Sequence, residues 1–142
     1  MKNTRASNLF ILMSAVVIIV VLPLLALSDS KRTDIKNKQS EAKMILKQIY
    51  TMQRAYKMDK GLYWITGSVA GSATPTAFAS IRITIPPTAR YSYTITSTDA
   101  GATNFFATAT VPSPGLDDDP KFDVWAIDQN GFLRVTVDDA IE

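Results

Sequence analysis

An apolar run from Leu9 to Leu27 passes directly into a helix-patterned segment, Asp29 to Lys60, with no Gly in either and a single Pro, Pro23. Ser14 is the only polar residue among the nineteen of that run. At roughly 1.5 Å of rise per residue, it nearly crosses a hydrocarbon core of about 30 Å. The arrangement predicts one continuous rod, apolar throughout its first half and amphipathic in its second, carrying a separate head. A chain built this way is expected to act by being anchored or assembled through its N-terminus, not by catalysis. The residues expected to form that membrane and assembly helix are Leu9, Phe10, Ile11, Leu12, Val16, Val17, Ile18, Ile19, Val20, Val21, Leu22, Pro23, Leu24 and Leu25.

Three readings of the run compete. A cleavable secretory signal would use Lys2 and Arg5 as its basic region, Leu9–Leu22 as its apolar region and Ala26-Leu27-Ser28 as its cleavage site. A plain single-pass anchor is the second. The third is a retained hydrophobic half-helix that serves first in the membrane and later in packing against copies of itself. Counting positive flanks would place the C-terminal side in the cytoplasm. Short basic N-tails, however, usually stay inside and lead export, and the downstream head reads as exported.

From Ile35 onward, Ile35, Ala42, Ile45, Leu46, Ile49, Met52, Ala55 and Tyr56 recur at steps that mark one helical face. Lys38, Lys43, Lys47, Gln53, Arg54 and Lys57 are expected on the outside, and Gly61 is a natural stop. The face expected to pack on a sheet comprises Ile35, Ala42, Ile45, Leu46, Ile49, Met52 and Tyr56.

Beyond the helix, Thr66–Ser80 is rich in small residues and reads as a surface loop. Four β-like runs follow, Arg90–Thr96, Asn104–Val111, Phe122–Asp128 and Phe132–Val137, with turns at Asp99-Ala100-Gly101, Pro112–Pro120 and Gln129-Asn130-Gly131. Asn130-Gly131 predicts a tight hairpin connection with positive φ at both residues. The expected fold is α+β: a long N-terminal helix packed on an antiparallel sheet of about four strands in a meander. The chain divides into a basic N-tail (1–8), an apolar half-helix (9–28), an amphipathic stem (29–60) and a β-rich head (61–142).

The formal net charge of +2 conceals an asymmetry. Residues 30–60 carry nine basic and three acidic residues, a net +6, whereas residues 61–142 carry four and nine, a net −5. A basic stem and an acidic head can attract one another between neighbouring copies. The absence of Cys and His removes disulfides, thiolate metal sites and imidazole acid–base chemistry. No phosphate-binding loop, dinucleotide glycine motif or serine nucleophile elbow is present. Asp117, Asp118 and Asp119 with Asp123 form the single carboxylate constellation. Their spacing does not match an EF-hand, so a solvated acidic turn is expected over a Ca²⁺ site. No cofactor and no enzymatic activity are expected. The stem lysines are spread around a helix that must bury its other face, so nucleic acid is not expected as a primary partner.

The order of features resembles the type IV pilins and the pseudopilins of secretion systems. The resemblance rests on an apolar half-helix containing Pro23, on Glu41–Tyr50, and on Gln53-Arg54-Ala55-Tyr56 followed by Gly61-Leu62-Tyr63. Three strand-like pieces extend it, Tyr91-Ser92-Tyr93, Phe106–Ala109 and Asp123–Leu133, so it covers most of residues 9–137. The front departs from the family. Arg5–Leu12 has neither the Gly-Phe processing junction nor the glutamate that follows it in most members; some tip-located minor members also lack that acid. The resemblance implies a structural subunit of an extracellular filament, held in the inner membrane before assembly. Its implied partners are copies of itself or related pilin-like subunits, with a motor ATPase and a processing peptidase supplied by other proteins. The alternative is a non-polymerising anchored or secreted binding domain with a pilin-like head.

Overall fold

The fold is known from a computed structural model, which describes residues 33–112, 115–116 and 122–138. The assembly helix expected from Leu9 to Leu27 lies outside the described residues. Among the described residues no helix is long and apolar enough to cross a membrane. Helix α1 covers residues 33–60, shorter than the expected continuous rod, whose earlier part is not among the described residues. Ile35–Glu142 cluster as one unit.

Helix α1 ends where Gly61 adopts φ +78° and its N–H donates to the carbonyl of Lys57 at 2.8 Å. This is a left-handed cap of the kind that favours glycine. The chain then forms five strands: β1 (Thr66–Ala70), β2 (Ser92–Thr96), β3 (Phe106–Thr110), β4 (Val124–Asp128) and β5 (Leu133–Val137). They pair antiparallel in chain order, a simple meander. The α+β class and the last four strands follow the sequence expectation; the strand count is five, not four. The additional strand, β1, lies inside the segment expected to be a loop. Its Thr-Gly-Ser-Val-Ala composition carries little strand preference, and pairing with β2 imposes its extended form. Between the Thr66↔Ile95 and Ala70↔Tyr93 pairs, β1 advances four residues against two of β2, so this edge is bulged.

The sheet face under α1 is built from two rows that cross the strands. One runs Tyr93, Ala109, Trp125, Val135; the other runs Ile95, Ala107, Ile127, Leu133. In both, a small residue on β3 stands between large ones on β2 and β4, leaving a trough along the central strand. Helix α1 lies along it. Glu41 accepts from the Arg90 N–H (3.1 Å) and the Tyr93 hydroxyl (3.5 Å) beside β2, while the Lys43 ammonium sits 4.1 Å above the Trp125 ring on β4. Ile35, Ala42, Ile45, Leu46 and Ile49 are buried against this face, and Met52 and Tyr56 are half-buried. Ala55, grouped with them by periodicity, is exposed.

Part of the core comes from a segment without regular strand structure. Ile81, Ile83 and Ile85 are all buried, next to Phe78. The segment is held by the Ile83 N–H donating to the Phe78 carbonyl (3.2 Å) and the Ile85 N–H to the Pro75 carbonyl (2.8 Å). On the opposite sheet face the Thr94 and Thr108 hydroxyls are bonded across β2 and β3 at 2.6 Å.

Candidate functional site

The buried face of α1 is not purely apolar. Gln39 and Gln53 stand on it, at steps of three, four and seven from Ala42, Leu46, Ile49 and Tyr56. Gln53 was expected outside; it is fully buried. Its amide N–H donates to the Trp64 carbonyl (2.7 Å) and its oxygen accepts from the Trp64 N–H (2.9 Å). A glutamine side chain thus substitutes for a strand partner and ties the helix to the chain that leaves it. Buried amides are retained where both of their groups are satisfied, as here.

Gln39 belongs to a second polar anchor, centred on Asp123. The Asp123 carboxylate is fully buried. It accepts from the Gln39 amide (2.9 Å), the Tyr91 hydroxyl (2.5 Å) and the Trp125 indole N–H (2.7 Å). Gln39 also donates to Asp138 (2.8 Å) just beyond β5. One carboxylate therefore joins the helix, the approach to β2 and β4, and Gln39 extends the link to the end of the sheet. Of the four residues considered as a Ca²⁺ candidate, Asp117, Asp118 and Asp119 lie outside the described residues, and Asp123 accepts from these three donors among the described residues. Among the described residues no group of acidic side chains is arranged to hold a metal.

Tyr91 and Tyr93 both titrate above the ordinary tyrosine value. For Tyr91 burial is the main cause, reinforced by its bond to Asp123; for Tyr93 burial again leads, with the negative charge of Glu41 second. These phenols act as hydrogen-bond donors that stay protonated, which suits a structural lock and not a proton carrier.

Several stem cations expected to face solvent turn back onto the head. The Lys38 ammonium donates to the Leu116 carbonyl (2.8 Å), and Lys57 donates to the Ala102 carbonyl (3.0 Å) while lying 4.3 Å above the Tyr63 ring. Arg54 stands 5.7 Å from the Tyr50 ring. Lys36 and Lys47 remain exposed.

The aromatics at the end of the stem disperse. Tyr63 packs on Phe105 and Trp64 on Phe78, with ring centroids 4.9 and 5.6 Å apart. Tyr50 instead faces the β4–β5 turn, where a Cβ on Gly131 would come within 3.0 Å of its ring. In that turn only Gly131 has positive φ; Asn130 does not. The expected two-residue hairpin gives way to a longer connection because the Asp128 carboxylate accepts from the Asn130 and Phe132 N–H groups (2.9 and 3.2 Å). The paired positive φ values occur between β2 and β3, at Ala100 (56°) and Gly101 (86°).

At its C-terminal end α1 borders a cleft of about 490 Å³, closed on the other side by a 3-10 turn at Ala79–Ile81. Met52, Tyr56, Lys60, Ile81 and Arg82 contribute to its walls. The outer edge strand β5 leaves Val135 and Val137 exposed, with Phe132 exposed beside it. No family model, curated protein or solved structure matches the chain.

Proposed function

We propose that this protein is a structural subunit of a pilus-like or pseudopilus-like extracellular filament, assembling non-covalently through its N-terminal apolar helix. The observation that carries the reading is the succession in sequence of an apolar run, Leu9–Leu27, and a segment whose residues 33–60 form a helix packed on a five-stranded antiparallel meander. The buried glutamines of the helix find their partners within the chain, at Trp64 and at Asp123. In this reading the N-terminal helix holds the chain in the cell membrane with its head exported until assembly into the extracellular filament. The basic stem and acidic head adjust contacts between subunits.

The second reading, an anchored or secreted binding domain that does not polymerise, is favoured by the small residues Ala26 and Ser28 at a signal-type cleavage position and by the missing processing glutamate. N-terminal sequencing of the native protein, with electron microscopy of sheared cell-surface fractions, separates the two. Filaments whose subunits retain residues 9–27 are expected. A mature N-terminus at Asp29 removes the apolar helix and excludes the filament.

A further inference from the structure

Strand β5 closes one end of the meander, and no further strand pairs with its outer edge among the described residues. An edge strand directs alternate N–H and C=O groups outward, and folded proteins guard such an edge with charge, proline or a bulge. The edge at β1 is bulged between its two paired positions. In β5 the register is regular over Leu133–Val135, and the shift falls beyond it, where the Thr136 hydroxyl donates to the Val124 carbonyl (3.0 Å). The one charged side chain of the strand, Arg134, is drawn to Asp128 at 3.6 Å. Phe132, Val135 and Val137 stand exposed along this edge.

The helix flank above β5 is basic. Lys36, Lys43, Lys47 and Arg54 recur at steps of seven, four and seven, which places them on one stripe of α1. Three contacts fix that stripe on the β5 side. Gln39 reaches Asp138 beyond the end of the strand, the Lys43 ammonium lies over Trp125, the pairing partner of Val135, and Tyr50 meets Gly131 before the strand begins. The stripe therefore runs the length of the edge, with Lys36, Lys47 and Arg54 exposed. Four residues of helix rise about 6 Å and two residues of strand about 6.7 Å, so Lys43 and Lys47 are spaced to meet carboxylates on alternate residues of a strand laid beside β5.

We propose that β5 accepts an extended segment of a partner protein as a further strand, one in which acidic residues alternate with β-branched apolar ones. Its main chain continues the sheet. Its glutamates lie toward α1, with their methylenes on Val135 and their carboxylates at Lys43 and Lys47, and its apolar residues turn to the opposite face beside Val137, which pairs with Val124 there. A second copy of β5 lacks this chemistry, since Leu133–Val137 contains no acid. Two-fold pairing of β5 with itself would also keep both helices on one face of the joined sheet and set their basic stripes against each other. The inference stands apart from the filament reading, because neither β5 nor the stripe involves residues 9–27.

The test uses the full-length chain in detergent micelles and a fluorescein-labelled Thr-Val-Glu-Val-Glu-Val-Thr peptide, read by fluorescence anisotropy. Saturable binding that weakens with salt is expected. The same peptide with lysines in place of its glutamates, or with its backbone amides N-methylated, should not bind. Lys47→Glu should lower affinity about tenfold or more, whereas Lys60→Glu, an equal charge change off the stripe, should bind as wild type. Both side chains are exposed, so both variants should melt with wild type, which separates lost recognition from lost folding. The chain has no cysteine of its own, and Val135→Cys is expected to stay free of disulfide-linked dimer. Absence of binding by wild type, equal binding of either altered peptide, or equal loss in the two lysine variants overturns the proposal. A disulfide-linked dimer of Val135→Cys assigns the edge to a second copy and overturns it too.

Discussion

Backbone conformation at two neighbouring residues decides how the β2–β3 connection meets the helix exit. The Gly101 carbonyl accepts from the Tyr63 N–H at 2.8 Å, and a Cβ on Gly101 would stand 2.3 Å from the Tyr63 carbonyl oxygen. Ala100 takes φ 56° beside it and is exposed. Substitutions here should therefore act in opposite directions. Gly101→Ala is expected to lose on the order of 2–4 kcal/mol, through both the clash and the positive φ. Ala100→Gly should be neutral or gain up to about 1 kcal/mol by relieving a left-handed alanine. Urea unfolding of the two variants beside wild type measures both. The same loop is locked by Asp99, which accepts from the Thr103 N–H (2.8 Å), the Thr103 hydroxyl and the Ser97 hydroxyl (2.7 Å). These bonds, led by those from Thr103 and Ser97, hold the Asp99 carboxyl well below the usual carboxylate range. Asp99 was legible as a turn residue, but the partners that fix it are set by how the loop closes on itself.

Among the elements, α1 was the most legible and also the one most instructively misread. Periodicity identified Ile35, Ala42, Ile45, Leu46 and Ile49 because burial of apolar side chains drives helix packing at that spacing. It assigned Gln53 to solvent because a polar side chain on a buried face is expected only when a partner is known, and Trp64 becomes its partner only after the chain turns at Gly61. The strands behaved similarly. Alternation revealed β2 to β5, whereas β1 has no pattern of its own and exists through its neighbour. The trough formed by Ala107 and Ala109 gives the clearest element-scale prediction. Ala109→Leu should lose about 1–3 kcal/mol, since added bulk lifts α1 from the central strand while Tyr93 and Trp125 hold the flanks. Thr108→Val, on the opposite face and next to Thr94, should cost less than Ala109→Leu. Chemical denaturation with an unchanged m-value would show that the difference lies in packing and not in loss of cooperative folding.

For the whole molecule, the two buried phenols link stability to alkaline pH. The folded chain keeps Tyr91 and Tyr93 protonated, whereas the unfolded chain releases those protons near the ordinary value of about 10. Their contribution is thus complete below about pH 10 and declines as pH rises beyond it. The melting temperature should fall above that point, and tyrosine absorbance should show two phenols ionising only as the protein unfolds. Tyr91→Phe should begin less stable, through loss of the bond to Asp123, and fall less steeply with alkali. A steep fall that Tyr91→Phe leaves unchanged would assign alkaline unfolding to other groups.

What the sequence by itself determined was whatever depends on local periodicity and on backbone limits: the amphipathic helix and its stop at Gly61, four of the five strands, their antiparallel order, and the unequal distribution of charge. The resemblance that motivates the proposed function comes from the same level, from the succession of apolar run, amphipathic stem and strands. Tertiary structure decided which polar groups are buried and with what. Gln39 and Gln53 entered the core, Asp123 became a buried anchor, Lys38 and Lys57 folded back onto head carbonyls, and Arg82 took a glycine position beside a cleft. The physical reason is common to all of these. Apolar burial follows from spacing along one segment, whereas the cost of burying a polar group depends on partners that only the folded chain brings within hydrogen-bond reach.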